Sequence, residues 1–128
     1  MKLQLALVAG LFFLLTADPS LAAKPQVSIS TNRSFISFVG RTANVILIVR
    51  MEVHEGNRRL KVSCDGIDGG VFVSTSRDFS QGKGQAKIYD IGFLLTPATY
   101  RCEAVLSRKA EEDGKTKEFT SFVEVIVH

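Results

Sequence analysis

The side chains that could do chemistry are few: two cysteines, Cys64 and Cys102, and two histidines, His54 and His128. A reactive thiol needs a histidine or another cation arranged beside it, and a structural zinc site needs four ligands held together. No motif in the sequence brings these residues together. In an exported chain two cysteines are most simply one disulfide bond, so the sequence predicts a structural bridge between Cys64 and Cys102.

The two histidines carry no catalytic pattern. His54 follows a predicted strand on its polar phase, and His128 is the last residue of the sequence. A general base needs a positioned partner and a cleft, and neither histidine lies near a nucleophile in a recognisable motif. Both are interpreted as solvated surface side chains. The sequence therefore predicts no catalytic residue and no enzyme.

Two further patterns could suggest a ligand but are better explained as turns. Asp65 and Asp68 lie in a glycine-rich segment, whereas a dedicated calcium site needs six or more oxygen ligands. Aspartate and glycine are also the residues that turns require. Gly82-Lys83-Gly84 is too short for a phosphate cradle, since no helix follows it. We therefore predict no metal site and no cofactor.

The first part of the chain has the pattern of a secretory signal peptide. Lys2 is followed by an apolar run over residues 3–15, and Ser20 and Ala22 are the small residues that a cleavage site needs. The run is shorter than the roughly 20 apolar residues that span a membrane. The sequence predicts a signal peptide over residues 1–22, cleavage after Ala22, and export to the periplasm or the medium.

Residues 23–128 are predicted to form one domain. The formal net charge is +3, and it stays +3 after cleavage because the leader carries one charge of each sign. No run of lysine or arginine marks a nucleic-acid surface, so no nucleic-acid partner is expected. No later stretch is long and apolar enough to span a membrane, and we expect no stable membrane insertion of the mature chain.

The dominant hydrophobic period is two, which is typical of strands with one buried face. The longest example is the run Ala43, Val45, Leu47, Val49, Met51 and Val53, to which the apolar Ile46 and Ile48 are exceptions. Further strands are predicted over 59–64, 71–75, 86–93, 100–106 and 123–127, with a bulge near Asp90, and the segments 27–31 and 35–39 give one or two strands at the start of the domain. Since no helical period is sustained, the fold class is an all-β sandwich of about seven antiparallel strands.

The segment from Leu95 to Ala104, which reads Leu-Thr-Pro-Ala-Thr-Tyr-Arg-Cys-Glu-Ala, carries a resemblance. It resembles the approach to strand F in immunoglobulin-like and fibronectin type III-like domains. The resemblance implies that Tyr100, two residues before Cys102, forms a tyrosine corner that bonds to the upstream backbone. The chain as a whole is similar to small exported bacterial proteins with an immunoglobulin-like fold and no assigned activity.

The chain departs from the immunoglobulin pattern in two ways. It contains no tryptophan, and Cys64 lies late in the sequence. If residues 43–53 are strand B, residues 59–64 are strand C. The disulfide would then join strands C and F within one sheet, which we favour, while a bridge between strands B and F across the sandwich remains the alternative.

The leading functional hypothesis is a non-catalytic exported binding or structural module with a protein partner. Contact is expected through loops or through an open sheet edge. The candidate loops are 65–70, 80–85 and 109–117, and the candidate edges are the first strand, the strand at 71–75 and the last strand.

Two alternatives come from other classes. A module that binds carbohydrate or an envelope polymer would be favoured by an exposed cluster of Tyr89 with Phe72 or Phe79, and would lose its support if those rings are buried. A small enzyme, the least favoured alternative, would need a pocket that joins His54 to a carboxylate and a nucleophile.

Overall fold

A computed structural model of the chain describes residues 25–32, 37–39, 42–110 and 112–128, with only the backbone described for 37–39. The predicted signal peptide and its cleavage point lie outside the described residues. A short 3-10 turn, Ser80–Gly82, lies between the fifth and sixth strands. The strands are β1 (Val27–Thr31), β2 (Ser37–Val39), β3 (Thr42–Met51), β4 (Asn57–Gly66), β5 (Phe72–Asp78), β6 (Ile88–Leu95), β7 (Ala98–Lys109) and β8 (Thr116–Val127).

The strands form two antiparallel sheets that pack against each other, which confirms the predicted all-β sandwich. In the first sheet β3 pairs with β1 and β2 along one side and with β6 along the other. In the second sheet the order is β5-β4-β7-β8. Both sheets contribute to one continuous hydrophobic core, so the apolar faces of both are removed from water.

The strand at the centre of the first sheet explains the two exceptions to the alternating pattern. Along β3 the odd-numbered residues from 43 to 51 are buried in the core. Ile46 and Ile48 point to the opposite side of the sheet and are half-buried. They are flanked on β6 by Ile88 and Leu94, both exposed, so apolar side chains lie on the outer face of this sheet beside the charged Arg50 and Asp90.

The predicted bulge near Asp90 is wrong. β6 pairs with β3 in unbroken register from Ile88 to Leu95. Asp90 lies on the outer face, while Tyr89 and Ile91 turn toward the core. The apparent slip in phase arises because Ile88 is an apolar residue on the outer face. The structure instead has a register shift in β4, between Asn57 and Arg59 opposite β7.

The open edges differ in part from those expected. β5 and β8 are the outer strands of the second sheet, as the sequence predicted. β1 is not simply open, because the Ile29 amide donates to the Ser121 hydroxyl of β8 at 3.2 Å. β6 has a partner on one side only within the first sheet, and the sequence did not identify it as an edge.

The predicted disulfide is present and joins neighbouring strands of one sheet. Cys64 of β4 and Cys102 of β7 lie directly opposite each other, are bonded to each other, and are fully buried. The sequence left open whether the bridge joins two strands of one sheet or crosses the sandwich, and in the structure it joins two strands of one sheet. The bridge therefore fixes the central pair of strands in the second sheet.

Tyr100 is fully buried, and its hydroxyl ties two connections together. The hydroxyl donates to the backbone carbonyl of Thr96 at 2.8 Å and accepts from the Val71 amide at 3.3 Å. Gly70, with φ of 82°, packs so closely that any Cβ would overlap the tyrosine hydroxyl. Tyr100 thus anchors both the β6–β7 corner and the β4–β5 loop.

Replacing both cysteines, Cys64→Ala with Cys102→Ala, should lower the free energy of unfolding by about 3–4 kcal/mol. The reason is that a bridge across 38 residues restricts the unfolded chain. Urea unfolding followed by circular dichroism measures the change. The control is the wild-type protein under reducing conditions, which should match the variant; equal stability of oxidised wild type and variant would contradict the prediction.

Tyr100→Phe should lower the free energy of unfolding by about 1–3 kcal/mol, because the part-buried Val71 amide and Thr96 carbonyl both lose the hydroxyl of a fully buried side chain. Tyr89→Phe is the matched control. The Tyr89 hydroxyl accepts from the exposed Ala86 amide, which water can satisfy in the variant, so a loss of at most about 0.5 kcal/mol is expected. Equal losses in the two variants would show that the Tyr100 hydroxyl has no special role.

Candidate functional site

The outer face of the second sheet carries exposed aromatic side chains. The strand register aligns Phe72 of β5, Asp65 of β4, Arg101 of β7 and Glu124 of β8 in one row across the sheet. Phe122 of β8 lies in the next row. Phe72 is 62% exposed and Phe122 is 49% exposed. Two large apolar rings therefore lie on the solvent side of the sheet, where most side chains are polar.

Arg101 is held against one of these rings. Its guanidinium lies 4.0 Å from the centroid of the Phe122 ring, a distance at which the ring quadrupole attracts the cation. Two carboxylates, Asp65 and Glu124, are its direct neighbours across the strands. The arginine therefore presents a flat cation on the surface and stiffens the ring beneath it.

The loop between β4 and β5 continues this surface. Ile67 is 61% exposed, yet its amide donates to the Thr99 carbonyl at 2.8 Å. The Thr99 amide in turn donates to the Asp68 carboxylate at 2.9 Å. With the Val71 amide bonded to Tyr100, the loop is tied to the start of β7 at three points, and its apolar side chains are held in place while facing solvent.

We call this surface the aromatic face, and it comprises Ile67, Val71, Phe72, Arg101 and Phe122. A shallow depression of about 510 Å³ lies within it. The predicted candidate loop 65–70 supplies one side of the depression, and β7 supplies the other. Its described lining residues are Ser63, Asp65, Gly66, Ile67, Phe72, Arg101 and Glu103.

The exposed ring cluster required by the carbohydrate hypothesis is not formed. Phe79 is a core residue, 2% exposed, and its ring centroid lies 6.3 Å from that of the half-buried Tyr89. Phe72 lies at the other end of β5 on the outer face. Neither phenylalanine therefore joins Tyr89 in an exposed cluster, because β5 places the two rings in different environments.

His54 is exposed, as expected. It also lines a surface depression, which the sequence did not predict. Its Nδ1 accepts from the Gly56 amide at 2.9 Å, so the neutral ring carries its proton on Nε2. The depression contains the carboxylate of Glu112. None of its described lining residues has a hydroxyl or a thiol, so the combination that the enzyme hypothesis requires is not assembled there. His128 is exposed at the end of β8.

A buried polar network beside this depression was missed by the sequence analysis. The segment Glu55-Gly56-Asn57 has the composition of a turn, yet Asn57 is fully buried. Its amide donates to the Glu52 carbonyl at 2.9 Å and to Gln85 Oε1 at 2.7 Å. Its Oδ1 accepts from Arg108 Nε at 2.8 Å. The only available signal was an Asn after a Glu-Gly pair, which is common in turns.

Arg108 is a charged member of this network and links Asn57 to Gln26. Its guanidinium donates to Gln26 Oε1 at 2.8 Å and lies 4.8 Å from the centroid of the Phe119 ring. Burial lowers the pKa of Arg108, and the charge of Glu52 partly offsets this by raising it. The arginine is thus a positioned, partly desolvated cation.

Of the two aspartates at the β4–β5 loop, Asp65 and Asp68, one has a structural role. The Asp68 carboxylate accepts from Thr99, and Asp65 lies on the outer face of the sheet. Among the described residues no group of three or more histidine, cysteine, aspartate or glutamate side chains could hold a metal ion. In the same part of the chain no helix has the length and apolarity to cross a membrane.

Comparison of the chain with protein-family models, with curated proteins and with solved structures finds no match in any of the three.

Asp68→Ala should loosen the β4–β5 loop while leaving the sandwich folded. The Thr99 amide loses a charge-assisted bond, so its hydrogen exchange should accelerate by at least about tenfold. Asp113→Ala is the matched control, since Asp113 accepts from the Lys115 amide at 2.9 Å in a different hairpin. Exchange at Thr99 should respond to the first variant only, measured by NMR; an unchanged rate at Thr99 would contradict the role of Asp68.

Proposed function

We propose that the protein is a non-catalytic binding module that holds a protein partner on the aromatic face. The observation that carries the proposal is the exposure of Phe72 and Phe122 beside a positioned arginine. Aromatic residues and arginine are enriched at the centres of protein interfaces and supply most of their binding energy. Solvent-exposed rings without such a role would only add an aggregation risk.

The rigidity of the β4–β5 loop supports the same function. Ile67 and Phe72 are attached to a loop whose backbone is bonded to Thr99 and Tyr100. A surface that is ordered before binding loses less conformational entropy when the partner arrives. An exposed apolar loop with no binding role would need no such anchoring.

The chemistry around the aromatic face favours a protein over a carbohydrate. Its rim carries Asp65, Glu103 and Glu124 around the single cation Arg101. A partner with an apolar centre and basic groups at the rim would match this charge pattern. Phenylalanine also lacks the polar handle that tyrosine or tryptophan offers to a sugar.

The strand order supports assigning the sandwich to the immunoglobulin-like or fibronectin type III-like type. If β3 is strand B, then β6 is strand E and pairs with it, while β4, β7 and β8 correspond to the C-F-G sheet of those domains. The bond from Tyr100 to the upstream Thr96 carbonyl agrees with a tyrosine corner. β5 extends the sheet of β4, which is a variation within this type.

Export is part of the proposal. The disulfide bond supports it, because such bonds persist in oxidising compartments and are rare in the cytosol. The signal pattern over residues 1–22 supports it independently. The site of action would then be the periplasm or the medium.

The function is tested by placing a photocrosslinking amino acid, p-benzoylphenylalanine, at position 72 or 122 in the cells that produce the protein. A discrete protein adduct is expected from both positions. The control position is 88, where Ile88 is 50% exposed on the outer face of the other sheet. Mass spectrometry identifies the adduct, and the purified partner is then titrated against Phe72→Ser, which should weaken binding by about 30-fold if Phe72 is a hot spot.

The outcomes separate the alternatives. Adducts at 72 and 122 that are absent at 88 support a protein partner on the aromatic face. A heterogeneous adduct that resists proteases would favour the carbohydrate or polymer alternative. Equal labelling from position 88, or an unchanged affinity of Phe72→Ser for the identified partner, would refute the aromatic face as the binding site.

A further inference from the structure

A second surface lies at the opposite end of the sandwich from the aromatic face. β4 and β7 run the length of the second sheet, and ten residues of β4 span about 30 Å. At the far end is the depression described for His54, which we call the cationic depression. Its described lining residues are His54, Arg108, Lys109, Ala110, Glu112, Lys117 and Phe119.

Positive charge predominates in this depression. Among the described lining residues, Arg108, Lys109 and Lys117 are accompanied by one carboxylate, Glu112, and Glu52 acts on Arg108 from outside the lining. The side chains of Lys109 and Lys117 make no ion pair with any described residue. The candidate loop 109–117 therefore places the lysines at its two ends, Lys109 and Lys117, on the depression without an ion pair to a described residue.

Arg108 is oriented by neutral hydrogen-bond acceptors, and the charge of Glu52 also acts on it. Its two described hydrogen-bond acceptors are the amide oxygens of Asn57 and Gln26, and its guanidinium packs on Phe119. Amide acceptors orient the fork of donors but do not neutralise its charge. A partly desolvated guanidinium gains more from an incoming anion than a fully hydrated one does, and Glu52 offsets only part of its desolvation.

His54 adds a neutral donor. Because Nδ1 accepts from Gly56, the neutral ring presents an N–H at Nε2. The lining of the depression thus combines a fixed guanidinium, two ammonium groups, an imidazole donor and the apolar ring of Phe119. Groups of this kind recognise an oxyanion attached to an apolar or ring-containing moiety.

We propose that the cationic depression is a second binding site, which takes a small oxyanion group of a ligand, whether phosphate, sulfate or carboxylate. The volume of about 290 Å³ is at the lower end of small-molecule sites, so it accommodates one such group with a few attached atoms. This site is independent of the aromatic face, and failure of either proposal leaves the other unaffected.

The test is an NMR titration of the isotope-labelled mature protein with inorganic phosphate, sulfate and acetate in separate series at constant ionic strength. Saturable shifts are expected at the amides that border the depression, namely Gly56, Lys109, Ala110 and Lys117. The anion with the lowest Kd distinguishes a phosphate, a sulfate or a carboxylate source of the shared chemistry.

Variants on the rim separate a built site from general attraction to a basic protein. Lys109→Gln and Lys117→Gln should each weaken the preferred anion by about threefold to fivefold. Glu112→Gln should tighten it by about twofold, since a like charge is removed. These side chains are exposed, so the substitutions leave the folded core intact.

Lys61→Gln is the charge-matched control, because Lys61 is exposed in the middle of β4 and its loss changes the net charge equally. It should leave the Kd unchanged. The proposal is supported by a loss confined to the rim variants. It is overturned if Lys61→Gln weakens binding as much as Lys117→Gln, or if the shifts do not saturate or spread over the whole surface.

Discussion

The hydroxyl of Tyr100 is the point through which the fold and the proposed binding surface are connected. It is buried in the core, donates to Thr96 at the β6–β7 corner and accepts from Val71 in the β4–β5 loop. A buried hydroxyl must find such partners, because an unsatisfied polar group costs several kcal/mol in an apolar interior. The constraint that closes the corner therefore also holds the loop that carries Ile67 and Phe72.

The disulfide and the pairing of β4 with β7 extend this constraint along the second sheet. Cys64 and Cys102 lock the two strands near one end, and the network of Asn57 with Arg108 holds them at the other. The same two strands therefore position both surfaces. An aromatic surface with an acidic rim lies at one end of these strands, and a cationic depression lies at the other, so the two strands separate the two proposed sites.

The sequence predicted where the strands lie but not all of their lengths, since the last strand, expected over 123–127, begins at Thr116. Alternation identified β3 and the inward face of Cys64, because side chains alternate across a strand irrespective of its neighbours. It misplaced a bulge at Asp90, since one apolar residue on an outer face, Ile88, resembles a change of phase. Asn57 was interpreted as a turn residue, because only contacts with distant residues such as Arg108 reveal why it is buried.

By itself, the sequence predicted the fold class and the disulfide partners, because two-residue periodicity and a single pair of cysteines can be recognised without knowledge of tertiary contacts. The bonds of Tyr100 to the upstream backbone were implied by the resemblance alone. Only the tertiary structure decided which rings face solvent and which charges converge. Phe72 and Phe79 are alike in type and close in sequence, yet one is exposed and the other is in the core. The register between strands places each side chain, and register depends on contacts between residues far apart in sequence.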